Sequence, residues 1–317
     1  MSRERVVAVT VTFNRIETLK KNLEALTAQT CPLEKILVVD NGSSPGCRRQ
    51  LEELERQNPL VQVLWLQENL GGAGGFEAGM RFAAGEYRPD WYWIMDDDAY
   101  PRPDTLERLL DKKGLPDIGC LAPLIWGVDW QEYQYYHHKK TSACFTKDVA
   151  KFSDVGQMGE VEEIDADAFV GPLFPAEIVE EAGYPDGGLF IYGDDTEYTL
   201  RIGRRHRLYL VRDAVIDHND PPRSGAGFGP GTYWKLYYTI RNRVLLVTKY
   251  NSGFRKAAGL FLLTGNVLWQ MAYSLLRRGL GRQRYVRMRC VLKGYFDGLA
   301  GRKGKTIDPE EFQRQLR

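Results

Sequence analysis

The first hundred residues alternate short β-rich runs with helix-patterned segments, and that alternation limits the fold more than any other property of the chain. "VVAVTVTF" precedes "ETLKKNLEALTAQ", "KILVVDNGS" precedes "GCRRQLEELERQ", and "VQVLWL" precedes a helical pattern that opens on "GGAGG" and leads to "WYWIMDDD". Strands that alternate with helices are joined by right-handed crossovers into a mainly parallel sheet. Such a sheet binds ligands at the carboxyl ends of its strands. The polar residues there are therefore the ones to read: Thr12, Asn14 and Arg15, then Asp40, Asn41 and Ser43, then Asn69 with the glycines, then Asp96, Asp97 and Asp98.

The pattern continues with a helix near "PDTLERLLD" and a strand near "IGCLAPLI". Trp126 to Val161 is polar and aromatic, with "EYQYYHHKKT" at its middle, and suggests a hairpin or lid-like excursion whose His137 and His138 face solvent. Trp126, Trp130, Tyr133, Tyr135 and Tyr136 there are of the residue type that touches sugar rings. "DAFVGPLFPAEIVEEAGY" predicts a strand running into a helix, "GGLFIYGDDTEYTLRIGRRH" a strand, a turn and a helix, and "RLYLVRDAVIDHND" a further strand. "PPRSGAGFGPG" is rich enough in Pro and Gly for a mobile loop. From Tyr233 the chain reads as three helices. The expectation is an α/β domain over residues 1–230 and a helical, basic region over 231–317.

Lys+Arg 43 balance Asp+Glu 42, so total charge gives no reason to expect nucleic acid as a partner. The charge is uneven, however. From Phe254 to Lys305 Lys and Arg abound, and Asp297 is the one acid. Five scattered cysteines without metal-site spacing read as reduced cytosolic thiols. "MSRERVVAVTVTFNR" lacks the pattern of a secretory signal.

Four segments carry chemistry. In "MDDDAYP", two aspartates one residue apart at a strand end offer hard oxygen ligands for Mg²⁺ or Mn²⁺; an acidic turn, or helix capping by Asp98 and Asp104, is the structural alternative. "ENLGGAGGFEAGMRFA" offers close backbone approach and amides at a helix start, or simply a turn packed on the sheet. It lacks GK[ST] and is not a GxGxxG opening the first helix, which disfavours a P-loop or a dinucleotide-binding domain. In "FIYGDDTEYTLRI", one of Asp194 and Asp195 caps a helix while the other projects, and Glu197 with Arg201 forms a surface pair. In "VIDHND", His218 lies between Asp217 and Asp220 as a metal ligand, a phosphate contact or a loop histidine.

Taken in order, these segments resemble the family 2 glycosyltransferases of the GT-A fold over roughly residues 5 to 220. "VTVTFNRIETLKKNLEAL" with "ILVVDNGSS" is similar to the family's nucleotide-binding opening, "NLGGAGGF" to its glycine segment, "MDDDA" to its metal (DXD) motif and "FIYGDDTEY" to its catalytic-base motif. With "DH" and a later "YYTIRN", the set is most similar to bacterial galactofuranosyltransferases, with rhamnosyltransferases close behind. The resemblance implies donor-binding roles for Thr12, Asn14, Arg15, Asp40, Asn69, Gly74, Asp96 and Asp97. It implies Asp96, Asp98 and His218 as ligands of Mn²⁺ or Mg²⁺, and Asp195 as the base of an inverting transfer, or Asp194 if the helix starts one residue later.

The implied reaction moves galactofuranose from UDP-galactofuranose onto a cell-envelope glycan, O-antigen or arabinogalactan-type, that is lipid-linked. The alternatives are transfer from dTDP-rhamnose, a sugar-phosphate nucleotidyltransferase, whose triphosphate loop "TFNRIETL" does not supply, and a carbohydrate-binding module. A glycosidase would have no use for a diphosphate–metal site. "AAGLFLLTGNVLWQMAYSLL" has the length of a membrane span but is interrupted by Thr264, Gly265, Asn266 and Gln270. Flanked by Arg255, Lys256, Arg277 and Arg278, it reads as helices lying on an anionic bilayer or packing in a homo-oligomer. The expected location is cytoplasmic, peripheral on the inner face of the cell membrane.

Overall fold

The structure is a computed structural model and describes residues 4–129, 131–142, 144–150, 154–219 and 228–314. Trp130, Asp220, most of the Pro/Gly-rich run and the side chain of Arg278 lie outside the described residues. The chain forms two compact units, one of Met1–Lys140, Ala150–Gly187 and Asp195–Pro222, the other of Thr141–Val149, Gly188–Asp194 and Arg223–Arg317.

The first unit opens with β1 (Val6–Thr12), α1 (Ile16–Thr27), β2 (Lys35–Asp40), α2 (Pro45–Gln57), β3 (Val61–Trp65), α3 (Gly71–Glu86) and β4 (Trp91–Asp96). Next come β5 (Ala99–Pro101), α4 (Thr105–Leu110), β6 (Ile118–Gly127), β7 (Glu132–Tyr133) and the short β8 (Lys139–Thr141), followed in the chain by β9 (Asp148–Ala150), whose first two residues are counted with the second unit. The unit closes with β10 (Val161–Ile164), β11 (Val170–Pro175), α5 (Ala176–Ala182), α6 (Asp194–Gly203) and β12 (Arg207–His218). The main sheet runs β10-β12-β6-β11-β4-β1-β2-β3. β4, β1, β2 and β3 are parallel neighbours, as are β6 and β12, while β11 runs antiparallel between β4 and β6.

Both faces of the sheet are covered, so β1 is apolar at almost every position: Val6 and Ala8 face one core cluster, Val7, Val9 and Val11 the other. The glycine segment is explained by that second face. A Cβ on Gly75 would stand 2.6 Å from Val11 Cγ1, and one on Gly79 would meet Val9 and Val39 at 2.6 and 2.7 Å. The glycines let α3 lie directly on β1 and β2, and they sit inside the helix.

The second unit is built on α7 (Tyr233–Tyr250), α8 (Gly253–Leu276), α9 (Gln283–Leu299) and α10 (Pro309–Arg314). α8 is long and apolar enough to cross a membrane, yet only 22% of its most apolar window is buried. Gly259, Leu263, Val267 and Ser274 face inward, whereas Phe254, Phe261, Leu262, Leu268, Trp269, Leu275 and Leu276 are exposed. On α9, Tyr285, Leu292, Phe296 and Leu299 are exposed as well.

Three expectations are corrected. "LFIY" is not a strand: it forms a short 3-10 turn at Gly187–Leu189 and then left-handed residues at Phe190 (φ 65°) and Tyr192 (φ 64°). Side chains of α7 capture its carbonyls, which a strand would spend on a neighbour. Asn242 Nδ2 lies 3.0, 2.9 and 2.8 Å from the carbonyls of Leu189, Ile191 and Tyr192, and Arg241 donates to those of Gly188, Leu189 and Gly304. His137 and His138 are buried, because the side chains of Gln134 and Asp167 receive them. Glu197 and Arg201 do pair, at 3.1 Å, but Glu197 is buried, since Arg201 also caps the carbonyls of Ala182 and Tyr184 at the end of α5.

Candidate active site

The residues flagged at the strand ends interlock. Asn14 follows β1 in a left-handed conformation (φ 56°), which Asn tolerates better than most residues. Its amide donates to Ser43 Oγ at 3.0 Å, and its Oδ1 accepts from Ser44 N at 2.8 Å, so the ends of β1 and β2 are tied together. Asp40 is fully buried: Oδ1 accepts from Ser43 N, and Oδ2 pairs with Arg48 Nε at 2.8 Å. Arg48, which lies 5.7 Å from the ring centre of Trp65, was not flagged by the sequence.

Asn41 accepts from Leu70 N and donates to Gly71 O, while Asn69 Oδ1 accepts from Gly71 N. These bonds shape the turn into α3. Gly74 is buried on that helix, where a Cβ would stand 2.6 Å from Leu70 Cβ.

The three acids have separate surroundings. Asp96 is half-buried at the end of β4, and its amide bonds to Phe169 O. Asp97 is buried; it accepts from Thr12 Oγ1 at 2.7 Å and pairs with Arg15 at 2.8 Å, yet burial outweighs both and raises its carboxyl to about 6. Asp98 shares the Arg15 guanidinium at 2.7 Å. Burial would raise it too, but the bonds and charges of His218 and Arg15 prevail and hold it at about 2.

His218, at the end of β12, points Nε2 toward Asp98 Oδ1 at 3.4 Å. Its Nδ1 lies 2.9 Å from Gln134 Oε1, an acceptor, so that ring nitrogen carries its hydrogen and Nε2 is the ring atom that faces the acid. Gln134 is a residue that sequence reading missed, and no pattern in "EYQYYHHKKT" marks it.

One carboxylate oxygen and one imidazole nitrogen suit Mn²⁺ or Mg²⁺, hard cations that keep water and phosphate oxygens in their shell. Among the described residues, no group of three or more His, Cys, Asp or Glu side chains is gathered closely enough to hold an ion on its own. Asp98 and His218 are brought together, and Asp96 is not clustered with them. The donor set fits an ion that arrives with a diphosphate better than a closed protein cage.

Asp195 lies in the first turn of α6 with a partly exposed side chain, whereas Asp194 is buried. Thr196 N donates to Asp195 Oδ1 at 2.6 Å, and Lys139 Nζ lies 3.2 Å from Oδ2. Gln134 and Lys139 belong to one short segment, so a single stretch of chain touches both His218 and Asp195.

Residues 7–183 match the family described as Glycosyl transferase family 2. The chain is 32% identical to galactofuranosyltransferase GlfT1 of Mycolicibacterium smegmatis over 266 residues, covering 80% of this chain and 85% of that protein. It is 33% identical to GlfT1 of Mycobacterium tuberculosis over 209 residues, 63% of this chain and 65% of the relative. Among solved structures it resembles the mannosyltransferase PcManGT from Pyrobaculum calidifontis in complex with GDP-Man and Mn²⁺, at 15% identity and TM-score 0.57, over 94% of this chain and 88% of that one. GalNAc-T7 with UDP, GalNAc and Mn²⁺ gives 16% identity and TM-score 0.61 over 94% and 56%.

Proposed function

The chain belongs to glycosyltransferase family 2, and from that premise we propose that it transfers galactofuranose from UDP-galactofuranose to a hydroxyl of a cell-envelope glycan, with inversion. The observation that carries the reading is the convergence of Asp98, in the turn between β4 and β5, and His218, at the end of β12, 3.4 Å apart beside the Thr12–Arg15 turn. Kinship to galactofuranosyltransferases supports the choice of sugar.

In this reading the Thr12–Arg15 turn, Asp40, Asn69, Gly74, Asp96 and Asp97 form or support the donor pocket. Asp98 and His218, with Asp96 nearby in sequence, hold Mn²⁺ or Mg²⁺. A bound cation offsets the negative charge that grows on the diphosphate as the glycosidic bond breaks. Asp195 takes the proton of the acceptor hydroxyl while that oxygen attacks the anomeric carbon opposite the diphosphate, and UDP leaves with the bonding electron pair.

The exposed apolar side of α8 and α9 together with the surrounding Arg and Lys supports a second part of the proposal, that the enzyme works at the inner face of the cell membrane on a lipid-linked acceptor.

The test is UDP release with Mn²⁺ from UDP-galactofuranose, dTDP-rhamnose and other nucleotide sugars, with Asp195→Ala and Asp98→Ala as controls. Turnover confined to UDP-galactofuranose and lost in both variants is expected. Preference for dTDP-rhamnose would overturn the donor, and unchanged turnover in either variant would overturn that residue's role.

A further inference from the structure

Lys139 is a cation in an unfavourable place. Its side chain is nearly buried, and its ammonium reaches the first turn of α6, where the helix dipole favours anions. A buried ammonium persists only when its partners offset the lost hydration. Those partners are Thr196 Oγ1 at 2.7 Å and Asp195 Oδ2 at 3.2 Å. Thr196 in turn donates from N and Oγ1 to Asp195 Oδ1, at 2.6 and 3.1 Å. Both carboxylate oxygens are thus held, one by Thr196 and one by Lys139.

The lysine comes from a fixed backbone. Lys139 N donates to Ala166 O at 2.9 Å, and Lys139 O accepts from Asp165 N and Ala166 N at 3.0 and 3.2 Å. The preceding residue is anchored as well: His138 Nδ1 lies 2.8 Å from Asp167 Oδ1, and neither side chain is exposed. Burial holds the Asp167 carboxyl above its ordinary range, against the pull of His138 and Lys139. Asp167 N donates to Thr199 Oγ1, one turn beyond Asp195 on α6, so the lysine and the aspartate are referred to the same frame.

We propose that Lys139 is a positioning residue for the acceptor-activating carboxylate, fixing the rotamer of Asp195 so that one oxygen lies in line with the incoming hydroxyl. The inference rests on the reading of Asp195 as the base. Reaction geometry held within about 0.5 Å is what such a support shell provides, and its loss acts on the chemical step rather than on donor binding.

The test measures kcat and KM for UDP-galactofuranose with Mn²⁺ and a glycolipid extract of the source membranes as acceptor, with UDP affinity by calorimetry. Lys139→Met is expected to lower kcat at least about tenfold, with donor KM and UDP affinity within about twofold. Lys139→Arg, which keeps the charge and the donors, restores most of the rate. Lys139→Met added to Asp195→Asn lowers the rate no further, because the lysine acts through that carboxylate. Thr196→Val covers the case of a Lys139→Met protein that does not fold; it is expected to lower kcat with UDP affinity unchanged. A wild-type rate in Lys139→Met alongside an inactive Asp195→Asn overturns the inference alone. Normal turnover by Asp195→Asn overturns the base reading beneath it. Weakened UDP binding in Lys139→Met would place the lysine on the donor and also overturn the inference.

Discussion

His218 Nε2 stands 3.4 Å from Asp98 Oδ1, while Gln134 holds the opposite ring nitrogen at 2.9 Å. This arrangement fixes which nitrogen faces the acid. Asp98→Asn or His218→Ala is expected to weaken Mn²⁺-dependent UDP binding by about 10- to 100-fold, and Gln134→Leu by less. Chelation with EDTA should abolish the same binding in the parent enzyme. Titration calorimetry with UDP, with and without Mn²⁺, checks all of these; metal-independent UDP affinity in the parent would remove the site's assigned purpose.

Asn242 supports the loop that delivers the two acids to α6. Replacing it with Ala removes the Asn242 donor from the carbonyls of Ile191 and Tyr192, while that of Leu189 keeps Arg241 at 2.8 Å. Each buried group left unpaired costs about 1–3 kcal/mol. Asn242→Ala should therefore lose at least about 2 kcal/mol in urea unfolding and lose turnover beyond its loss of folded protein. Full activity with an unchanged unfolding midpoint would show that the left-handed conformations of Phe190 and Tyr192 hold without it.

The same loop shows where sequence reading stops. The βαβ layout, the helices from Tyr233 and the junction of β11 with α5 were legible, because each is encoded by a local period of two or 3.6 residues. "LFIY" has the composition of a strand, but its conformation is decided by Asn242, some fifty residues away. Likewise "HHKK" looks like a surface, and only the buried Asp167 makes His138 a core residue. Gln134, Lys139 and Arg48 escaped notice for the same reason. Their roles come from what the fold places opposite them, which no local spacing encodes.

The glycine segment illustrates a motif whose packing role is now visible. A methyl group at position 79 would meet Val9 Cγ1 at 2.6 Å and Val39 Cγ2 at 2.7 Å, and both valines belong to strands that cannot retreat. Gly79→Ala is expected to destabilise the first unit by about 1–3 kcal/mol through overpacking. Gly85→Ala, in open space on the same helix, should be neutral or stabilising by up to about 1 kcal/mol. Denaturant melts of the two variants decide; equal midpoints would mean α3 shifts freely over the sheet.

His206 gives stability a pH dependence of known sign. It lies 2.7 Å from Asp117 and 3.1 Å from Glu181; burial pulls its pKa down, but the two carboxylates prevail and raise it. A raised histidine contributes fully below its unfolded pKa, near 6.5, and loses that contribution as pH rises through the folded value. The surroundings are partly exposed, so the effect should stay below about 1 kcal/mol. Urea midpoints at pH 5.5 and 8.5 should differ more in the parent than in His206→Gln, by roughly that amount. Identical pH dependence in both would show that the two acids do not act on the ring.

The exposed side of α8 leads to the last prediction. Phe261 is 77% exposed and Trp269 67%, on a helix flanked by Arg255, Lys256 and Arg277. An apolar face that pairs with a second copy would bring two such cationic rims together, whereas an anionic bilayer neutralises them while accepting the aromatic rings. Burying each large side chain contributes about 1.5–3 kcal/mol, and each cation near an anionic surface about 1 kcal/mol. Co-sedimentation with vesicles containing phosphatidylglycerol should therefore be strong and should weaken with salt. It should fall at least about tenfold in a Phe261→Ser/Trp269→Ser variant. Absence of vesicle binding together with a concentration-dependent dimer in sedimentation velocity would assign the face to a second copy of the chain instead.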